Sequence, residues 1–452
     1  MSVLDTSIDL FNDNHKRNVY ENPLVSRYAS KEMNYIWSSN KKFTTWRKLW
    51  IYLAEGEKEL GLNITDDQLN EMKTFKNDIN YDVAEKKERE VRHDVMSHVF
   101  AFGVQCPKAK HIIHLGATSC FITDNTELIQ LRDAMKLIQK KLLHTMKSLS
   151  IFCNKYKGLP TLGFTHYQPA QLVTVGKRAA LWLQDFLMDF HQLTSLIEQL
   201  PLRGIKGTTG TQASFLELFD GNHEKVDRLN KLLATKLGFE KIISLSGQTY
   251  TRKIDYQILS VLSAIAQSAY KFAGDIRLLA NLKEMEEPFN ENQIGSSAMA
   301  YKRNPMRCER ICSLARYVMS LSANASNTAA NQWFERTLDD SANRRLSLPQ
   351  AFLGIDVILN LSLNVINGLQ VWPKVIYSRI MTELPFMTTE AILMTAVKAG
   401  GDRQVLHEAI RKHSMVAIKQ VKNDGVANDL IERIRGDEMF ASVRDNLNHL
   451  LD

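Results

Sequence analysis

The chain has 452 residues, of which 44% are hydrophobic and 24% are charged, a composition typical of globular proteins. Because one hydrophobic core seldom serves such a length, two or three domains are expected. The 57 basic residues against 50 acidic ones give a net charge of +7. A nucleic-acid-binding protein would concentrate that excess in blocks, but the densest basic cluster, Lys86-Lys87-Glu88-Arg89, contains an acidic residue. A nucleic-acid partner is therefore not expected, whereas a small anionic substrate is compatible with the charge.

The cysteines and the N-terminal residues indicate the compartment. The five cysteines form no CxxC pair. The single CxxxC, Cys308 to Cys312, has no second pair of zinc ligands, so neither a disulfide framework nor a metal site is predicted. This pattern favours a reducing compartment. The acidic residues Asp5, Asp9 and Asp13, with no apolar segment near them, argue against secretory or mitochondrial targeting. No apolar run approaches the roughly 20 residues that span a bilayer. We therefore expect a cytoplasmic protein with no membrane association.

Periodic apolar residues predict short helices at both ends of the chain, with runs at roughly 43–60 and 83–103 and further segments after Trp372-Pro373. No long stretch alternates apolar and polar residues at period two, so strands should be few. We predict an all-α fold of three helical domains. Their predicted bounds are residues 1–118, 119–371 and 372–452.

The middle domain carries seven-residue repeats. Apolar residues follow a 4-3 spacing from Leu128 to Phe152, with one polar interruption at Thr145, and again from Ile258 to Leu279. No proline lies between Pro201 and Pro288, as long uninterrupted helices require. The pattern predicts a central bundle of long helices that pack at shallow crossing angles.

Four segments break the helical periodicity with small and polar residues, at 92–94, 116–119, 165–171 and 295–305. From the residues alone, they are a helix surface, a helix cap, a loop around a histidine, and an exposed basic loop before a helix that starts at Asn304-Pro305. The last segment also places Lys302 beside a helix N-terminus, which is an anion-binding arrangement. The glycines at 204, 207 and 210 are not followed by the Gly-Lys-Ser/Thr of a Walker phosphate loop.

Together these segments resemble the signatures of an enzyme family. The signature loop of the fumarase/aspartase superfamily is similar to GSSAMAYKRNP at 295–305, which has Ala300 where that loop usually has proline. Four more segments are similar to the adenylosuccinate lyases, especially the eukaryotic ones: SRYAS at 26–30, HLGATSC at 114–120, LGFTHYQPAQ at 162–171 and KGTTGTQ at 206–212. The resemblance implies an all-α homotetramer in which three subunits contribute to each site. It implies no metal or organic cofactor.

The implied reaction is the elimination of fumarate from adenylosuccinate, giving AMP, and from succinylaminoimidazole carboxamide ribotide (SAICAR), giving AICAR. Removing a proton next to a carboxylate and releasing a nitrogen requires a base and an acid. The resemblance assigns Ser296 as the base, with Lys302 near it. It assigns His166 as the acid, oriented by Glu309. His93 stays open as an alternative proton donor.

The resemblance also implies a set of substrate-binding residues. The nucleotide phosphate is assigned to Arg27, Tyr28, Arg336, Ser341 and Arg345, the succinyl carboxylates to Thr118, Ser119, Gln248, Lys302 and Asn304 with Thr165 next to His166, and further contacts to Arg92, His93, Asp94 and Arg310. Arginine suits phosphate because its planar guanidinium donates paired hydrogen bonds. Without the resemblance, Arg336 and Arg345 would be interpreted as a solvated helix face.

Three alternatives accompany this hypothesis. Another superfamily lyase, such as argininosuccinate lyase or aspartase, acts on substrates without phosphate and would not need the assigned arginines. A non-enzymatic, crystallin-like protein would be free to lose catalytic residues, yet Ser296, His166 and Lys302 are present. A nucleic-acid-binding protein would rest on the net charge alone and has no recognisable motif.

Overall fold

The computed structural model describes residues 20–290, 292–447 and 449; Asp5, Asp9 and Asp13 lie outside this range. Helices dominate, as predicted. The α-helices of the described residues are α1 (Lys31–Ile36), α2 (Ser39–Glu59), α3 (Asp66–Thr74), α4 (Tyr81–Val91), α5 (Asp94–Gln105), α6 (Ser119–Lys155), α7 (Val175–Gln199), α8 (Ala213–Leu218), α9 (His223–Leu237), α10 (Lys253–Asn281), α11 (Met306–Ala330), α12 (Asp339–Gly368), α13 (Pro373–Met387), α14 (Thr389–Lys398), α15 (Arg403–Asp424) and α16 (Leu430–Gly436). A π-helical turn covers Leu24–Tyr28, and a 3₁₀ segment covers Glu438–Asn446.

Two small antiparallel sheets complete the described secondary structure. Strands β1 (Pro160–Thr165) and β2 (Gln168–Thr174) form a hairpin in which Thr165 pairs with Gln168. Strands β3 (Met285–Glu286) and β4 (Gln370–Val371) form the second pair. The prediction of an all-α fold with few strands is confirmed.

The chain folds into two structural units, each assembled from separate stretches of sequence. Unit 1 comprises the described residues up to 146, with 185–274 and 306–364. Unit 2 comprises 147–184, the described residues of 275–305, and those from 365 to the C-terminal end. The three-domain bounds of the sequence analysis stay a prediction.

The seven-residue repeats fall on the two long helices where they were predicted. In α10 the seven repeat positions from Ile258 to Leu279 are at most 5% exposed. In α6 the repeat from Leu128 to Phe152 is also buried, including the polar Thr145. The hydroxyl of Thr145 donates to the carbonyl oxygen of Lys141 at 3.0 Å, so this interruption of the apolar stripe is satisfied within its own helix.

The predicted helical run at 83–103 is interrupted at Arg92-His93-Asp94, and the interpretation of these three residues as a helix surface is wrong. Helix α4 ends at Arg92, whose φ of 52° lies in the left-handed region, and α5 begins after His93, whose backbone is extended. The His93 ring takes the N-cap position, where Nδ1 accepts from the backbone N–H of Met96 at 3.4 Å. The break therefore turns these side chains away from a continuous helical face.

Helix α12 is long and apolar enough to cross a membrane by length and composition. However, 67% of its most apolar window is buried in the structure, as is common for core helices. Its apolarity is therefore weak evidence for a membrane span.

Unit 2 contains the β1–β2 hairpin, against which α13 packs, and a C-terminal core formed by α14, α15, α16 and the 3₁₀ segment. Arg379 of α13 donates from Nε to the buried carboxylate of Glu284 at 2.8 Å. This ion pair ties α13 to the strand β3 region within the unit.

Glu57 of α2 is a buried acid that generates a stability prediction. It is fully buried, and neither carboxylate oxygen has a hydrogen-bond partner among the described residues. Burial raises the pKa of Glu57 to about 9, so the folded protein holds this side chain protonated.

We expect the wild type to lose thermal stability relative to the neutral variant Glu57→Gln as the pH rises. The folded state keeps the proton between pH 4.5 and about 9 whereas the unfolded state releases it, so folding becomes less favourable across that window. Unfolding temperatures of both proteins at pH 5 and pH 8 check this. A difference between them that does not change with pH would contradict it.

Candidate active site

A cavity of about 890 Å³ lies within unit 1, where the N-terminal ends of α5, α6 and α12 converge. Eight of the predicted site residues line it: Arg92, His93, Asp94, Ser119, Gln248, Arg336, Ser341 and Arg345. They come from segments far apart in the chain. Helix N-termini carry partial positive charge, so their convergence favours an anionic ligand.

The His93 imidazole is fixed at both nitrogens. Its Nδ1 accepts the backbone N–H of Met96 at 3.4 Å, and its Nε2 lies 3.2 Å from the hydroxyl oxygen of Ser119. A nitrogen that accepts an N–H carries no proton, so in the neutral ring the proton resides on Nε2. His93 then donates its Nε2–H to the hydroxyl oxygen of Ser119 at the edge of the cavity.

Two predicted phosphate ligands, Arg336 and Arg345, face the cavity with only weak partners of their own. Nη1 of Arg336 lies 3.2 Å from the sulfur of Cys120. Burial raises the pKa of Cys120 to about 11, so this partner is a neutral thiol. Nη2 of Arg345 lies 3.6 Å from a carboxylate oxygen of Asp94, beyond ordinary hydrogen-bond length. Both guanidinium groups retain donors for a ligand.

Beneath the cavity, a buried ionic network joins the long helices of unit 1. Arg252 donates from Nε to Asp340 at 2.6 Å and from Nη1 to Asp124 at 3.2 Å. All three side chains are at most 2% exposed. Burial is the largest effect and by itself would lower the pKa of Arg252, but Asp124, Tyr250 and Asp255 together outweigh it and the pKa is raised. Arg252 therefore keeps its positive charge.

A second buried arginine extends this network. Arg344 donates from Nε to Asp255 at 2.7 Å, and its Nη2 is 2.7 Å from Glu127 and 2.5 Å from the hydroxyl of Tyr250. The Tyr250 hydroxyl in turn donates to Asp255 at 2.6 Å. Arg344 is thus committed to the floor of the cavity, whereas its neighbour Arg345 faces the ligand space.

The sequence analysis missed this network, although a signal for it was available. Asp124 stands four residues before Leu128, and Asp255 stands three before Ile258, so each continues an apolar repeat with a carboxylate. A carboxylate at a buried helix position requires a cationic partner. The cations, however, come from distant segments, and only the fold brings them to these acids.

Three more predicted residues meet elsewhere in unit 1. The guanidinium of Arg310 lies 5.0 Å from the ring centre of Tyr28, and that of Arg27 lies 5.5 Å from the same ring. These three residues are not among those that line the cavity. Thr118, which precedes α6, and Glu309, exposed in the first turn of α11, are also outside the lining set. Within the described part of the chain, the predicted phosphate ligands therefore form two groups.

His166 occupies the turn of the β1–β2 hairpin in unit 2. His166 and Tyr167 form a two-residue loop with φ of 53° and 58°, the left-handed conformation that such a turn requires at both positions. Asn-Gly is the usual choice, because larger side chains are strained there. The turn holds His166 exposed at the tip of the hairpin, next to Thr165. Because Glu309 belongs to unit 1, its pairing with His166 stays a prediction.

The predicted base, Ser296, lies in a loop of unit 2 whose two ends, at Gly295 and Asn304, are joined by a hydrogen bond. The amide of Asn304 donates to the carbonyl oxygen of Gly295 at 2.7 Å. A Cβ at Gly295 would lie 2.1 Å from the carbonyl oxygen of Lys302, so only glycine fits there. The Ser296 oxygen accepts from the backbone N–H of Met299 at 3.1 Å and of Ala298 at 3.4 Å. Hydrogen bonds donated to this oxygen stabilise its anionic form, as a serine base requires.

Helix α11 begins at Met306, one residue after the predicted first position Pro305. The side chains of Lys302 and Tyr301 are exposed. Among the described residues, no group of three or more His, Cys, Asp and Glu side chains is arranged to hold a metal ion.

Comparisons with known proteins match the chain to an enzyme family. A sequence family described as "Lyase" matches residues 37–320, and one described as "Adenylosuccinate lyase C-terminus" matches residues 385–452. Adenylosuccinate lyases from Saccharomyces cerevisiae and Schizosaccharomyces pombe are 55% and 54% identical to the chain, over 96% of it and 90% of each relative. The chain belongs to the adenylosuccinate lyase family.

A comparison with solved structures shows a shared fold. The crystal structure of 3-carboxy-cis,cis-muconate lactonizing enzyme from Pseudomonas putida superimposes with a TM-score of 0.83, at 22% identity, covering 95% of this chain and 94% of that one. At this level of identity the similarity concerns the fold. Membership of a lyase family also means that the chain is a C–N lyase rather than a structural protein.

The buried network makes a prediction for this adenylosuccinate lyase family member. Replacing Arg252 by Met leaves Asp124 and Asp340 without their shared cation, which we expect to lower the free energy of unfolding by about 3–5 kcal/mol. A matched control is Arg228→Met, because Arg228 pairs with Glu59 at the surface, at 3.2 Å, where ion pairs contribute little. Urea unfolding of both variants measures the difference. An Arg252→Met protein as stable as the control would contradict the proposed importance of the network.

Proposed function

We propose that this chain cleaves adenylosuccinate to AMP and fumarate, and SAICAR to AICAR and fumarate, as the names of its relatives and the cavity suggest. The observation that carries the proposal is that eight residues expected from five separate segments line one cavity. Arg336 and Arg345 suit a nucleotide phosphate. Argininosuccinate and aspartate have no phosphate to occupy them, so the other lyase activities of the superfamily are less consistent with this cavity.

The chemistry transfers one proton at each end of the bond that breaks. The Ser296 oxygen takes the proton from the carbon next to the succinyl carboxylate, and the electron pair left behind forms the double bond of fumarate. The C–N bond electrons move to the nitrogen, which receives a proton from His166. Charge builds on the carboxylate during this step, so donors such as Lys302 and Asn304 bind the transition state more tightly than the substrate.

His93 has a different role in this proposal. Its ring is fixed by Met96 and Ser119 and donates its Nε2–H to the Ser119 hydroxyl at the edge of the cavity. That geometry suits a hydrogen-bond donor that orients substrate. A proton donor to the leaving nitrogen would need to release and regain its proton in each turnover, and we assign this to the exposed ring of His166.

We also propose a cytoplasmic homotetramer in which the cavity, the hairpin and the Ser296 loop of different subunits form each site. Large apolar side chains flank both catalytic segments: Tyr167 is 49% exposed, Ile294 78% and Tyr301 84%. Apolar exposure beside functional residues is typical of surfaces that another subunit covers. The separation of Arg27 and Tyr28 from the other predicted phosphate ligands supports the same assembly.

The first test compares two adjacent serines. Ser296→Ala removes the base, so we expect kcat for adenylosuccinate to fall by about 100-fold or more. Ser297→Ala changes an exposed hydroxyl in the same loop and should retain kcat within a few-fold. Loss of the adenylosuccinate ultraviolet absorbance with stoichiometric fumarate measures both. Normal turnover by Ser296→Ala would contradict the assignment, and no turnover by the folded wild type would contradict the proposed function.

The second test separates the two histidines. We expect His166→Ala to lose kcat by about 100-fold or more, because the leaving nitrogen then lacks its acid. His93→Gln keeps an N–H donor and should mainly raise KM, with kcat near normal. Steady-state kinetics across pH measure both parameters. A larger loss of kcat in His93→Gln than in His166→Ala would reverse the two roles.

A further inference from the structure

The cavity contains a cation to which neither the resemblance nor the proposed mechanism gives a role. Lys42, in the first turns of α2, lines the cavity and is half-buried. Its ammonium nitrogen lies 5.2 Å from the ring centre of Phe43 and 5.0 Å from that of Trp46. Within the described residues, it has no side-chain hydrogen bond and no ion pair. A half-buried ammonium without a hydrogen bond or an ion pair has lost hydration that its aromatic neighbours replace only in part.

None of the acids near Lys42 forms an ion pair with it among the described residues. Glu127 of α6 pairs with Arg344 at 2.7 Å, and Asp94 of α5 is the nearest carboxylate to Arg345, at 3.6 Å. Glu88 of α4 also faces this space. Burial is the largest effect on Lys42 and lowers its pKa; Asp94, Glu127 and Glu88 oppose this, and the positive charge of Arg345 adds to the lowering. Lys42 and Arg345 are therefore two like charges that line one cavity, and Asp94 is the carboxylate near both of them.

An anion between Lys42 and Arg345 would relieve both the desolvation and the repulsion. Phosphate suits this position better than a carboxylate, because it carries up to two negative charges and three oxygens. Arginine offers paired donors and lysine a compact point charge, a combination that phosphate sites use. Arg336 lines the same cavity and provides a third cation.

We propose that Lys42 binds the phosphate group of the nucleotide, together with Arg345 and Arg336. This inference rests on the proposed function, since it takes the ligand to be a nucleoside monophosphate. It adds a substrate-binding residue from α2, a helix to which the sequence analysis assigned no site residue.

The test uses Lys42→Met, which keeps the aliphatic length and removes the charge. Lys48→Met is the matched control, because Lys48 lies on the same helix but does not line this cavity. Calorimetric titration of the full-length enzyme with AMP, adenosine, fumarate and inorganic phosphate measures the affinities. We expect Lys42→Met to weaken the binding of AMP and of inorganic phosphate by about tenfold or more, while the affinities for adenosine and fumarate stay unchanged. Lys42→Arg should restore part of the loss, and Lys48→Met should bind like the wild type.

Stability separates a binding role from a structural one. Replacing a half-buried, unpaired cation by an apolar side chain should leave the unfolding temperature equal or higher. A lower unfolding temperature of Lys42→Met, together with an equal loss of affinity for all four ligands, would overturn the proposal. Lys42 would then stabilise the structure of the cavity rather than bind phosphate. Adenosine affinity falling as much as AMP affinity, or fumarate affinity falling alone, would also overturn it.

The same titrations distinguish this inference from the proposed function. A wild type that binds inorganic phosphate through Lys42 but neither binds AMP nor releases fumarate from adenylosuccinate would refute the function and support an anion site. A wild type that cleaves adenylosuccinate normally, with AMP affinity independent of Lys42, would refute the inference and leave the function intact.

Discussion

The ion pairs of Arg252 with Asp124 and Asp340 fix the candidate site, because they join α6 and α12 at the ends that line the cavity. Arg344 adds Asp255 of α10 and Glu127 of α6 to the same network. A buried charge without its partner is costly, so the three helices have one arrangement that satisfies all these groups. In that arrangement Ser119 begins α6, and Ser341 and Arg345 lie in the first turns of α12, all facing the cavity. The network thus determines where the ligand-binding side chains meet.

The site combines charges that are satisfied with charges that are not. Arg252 pairs with two carboxylates, Arg344 pairs with two carboxylates and the Tyr250 hydroxyl, and both form the floor of the cavity. Arg336 and Arg345 have a thiol and a distant carboxylate, and they face the ligand space. The adjacent residues Arg344 and Arg345 therefore differ in role: Arg344 pairs with buried acids, and Arg345 is available to a ligand. Their difference follows from the helical rotation of about 100° between neighbouring residues.

Strained backbone conformations occur at the same places as predicted site residues. Arg92, His166 and Phe334 have positive φ values although none is glycine. Arg92 ends α4 and lets His93 cap α5; His166 forms the hairpin turn; Phe334 lies two residues before Arg336. Such conformations cost free energy and persist only where the surrounding structure determines them. They hold side chains at angles that a regular helix or strand does not provide.

Much of the fold could be predicted from the sequence because it depends on local periodicity. The repeats from Leu128 and Ile258 predicted α6 and α10, and their buried positions agree. Residues 92–94 were found to break the periodicity, but the left-handed conformation of Arg92 that ends α4 could not be predicted, since no glycine or proline marks it. The β1–β2 hairpin could not be predicted either, because its turn is His166-Tyr167 and not the usual Asn-Gly.

The candidate site could be predicted only in part. Its residues lie in separate segments, and their common cavity follows from long-range ionic contacts that no spacing encodes. The resemblance identified eight of the lining residues but not Lys42 or the buried network. The network could have been inferred locally only from Asp124 and Asp255, where a charged residue occupies a position of an apolar repeat.

The most direct test of the shared active site mixes two inactive variants, His166→Ala and Ser296→Ala, after dissociating and reassembling the subunits together. If different subunits supply the hairpin and the loop, random assembly restores about a quarter of the sites, and about a quarter of the wild-type kcat should return. Native mass spectrometry shows whether mixed tetramers have formed. Mixed tetramers that remain inactive would mean that one subunit supplies both residues, which contradicts the account.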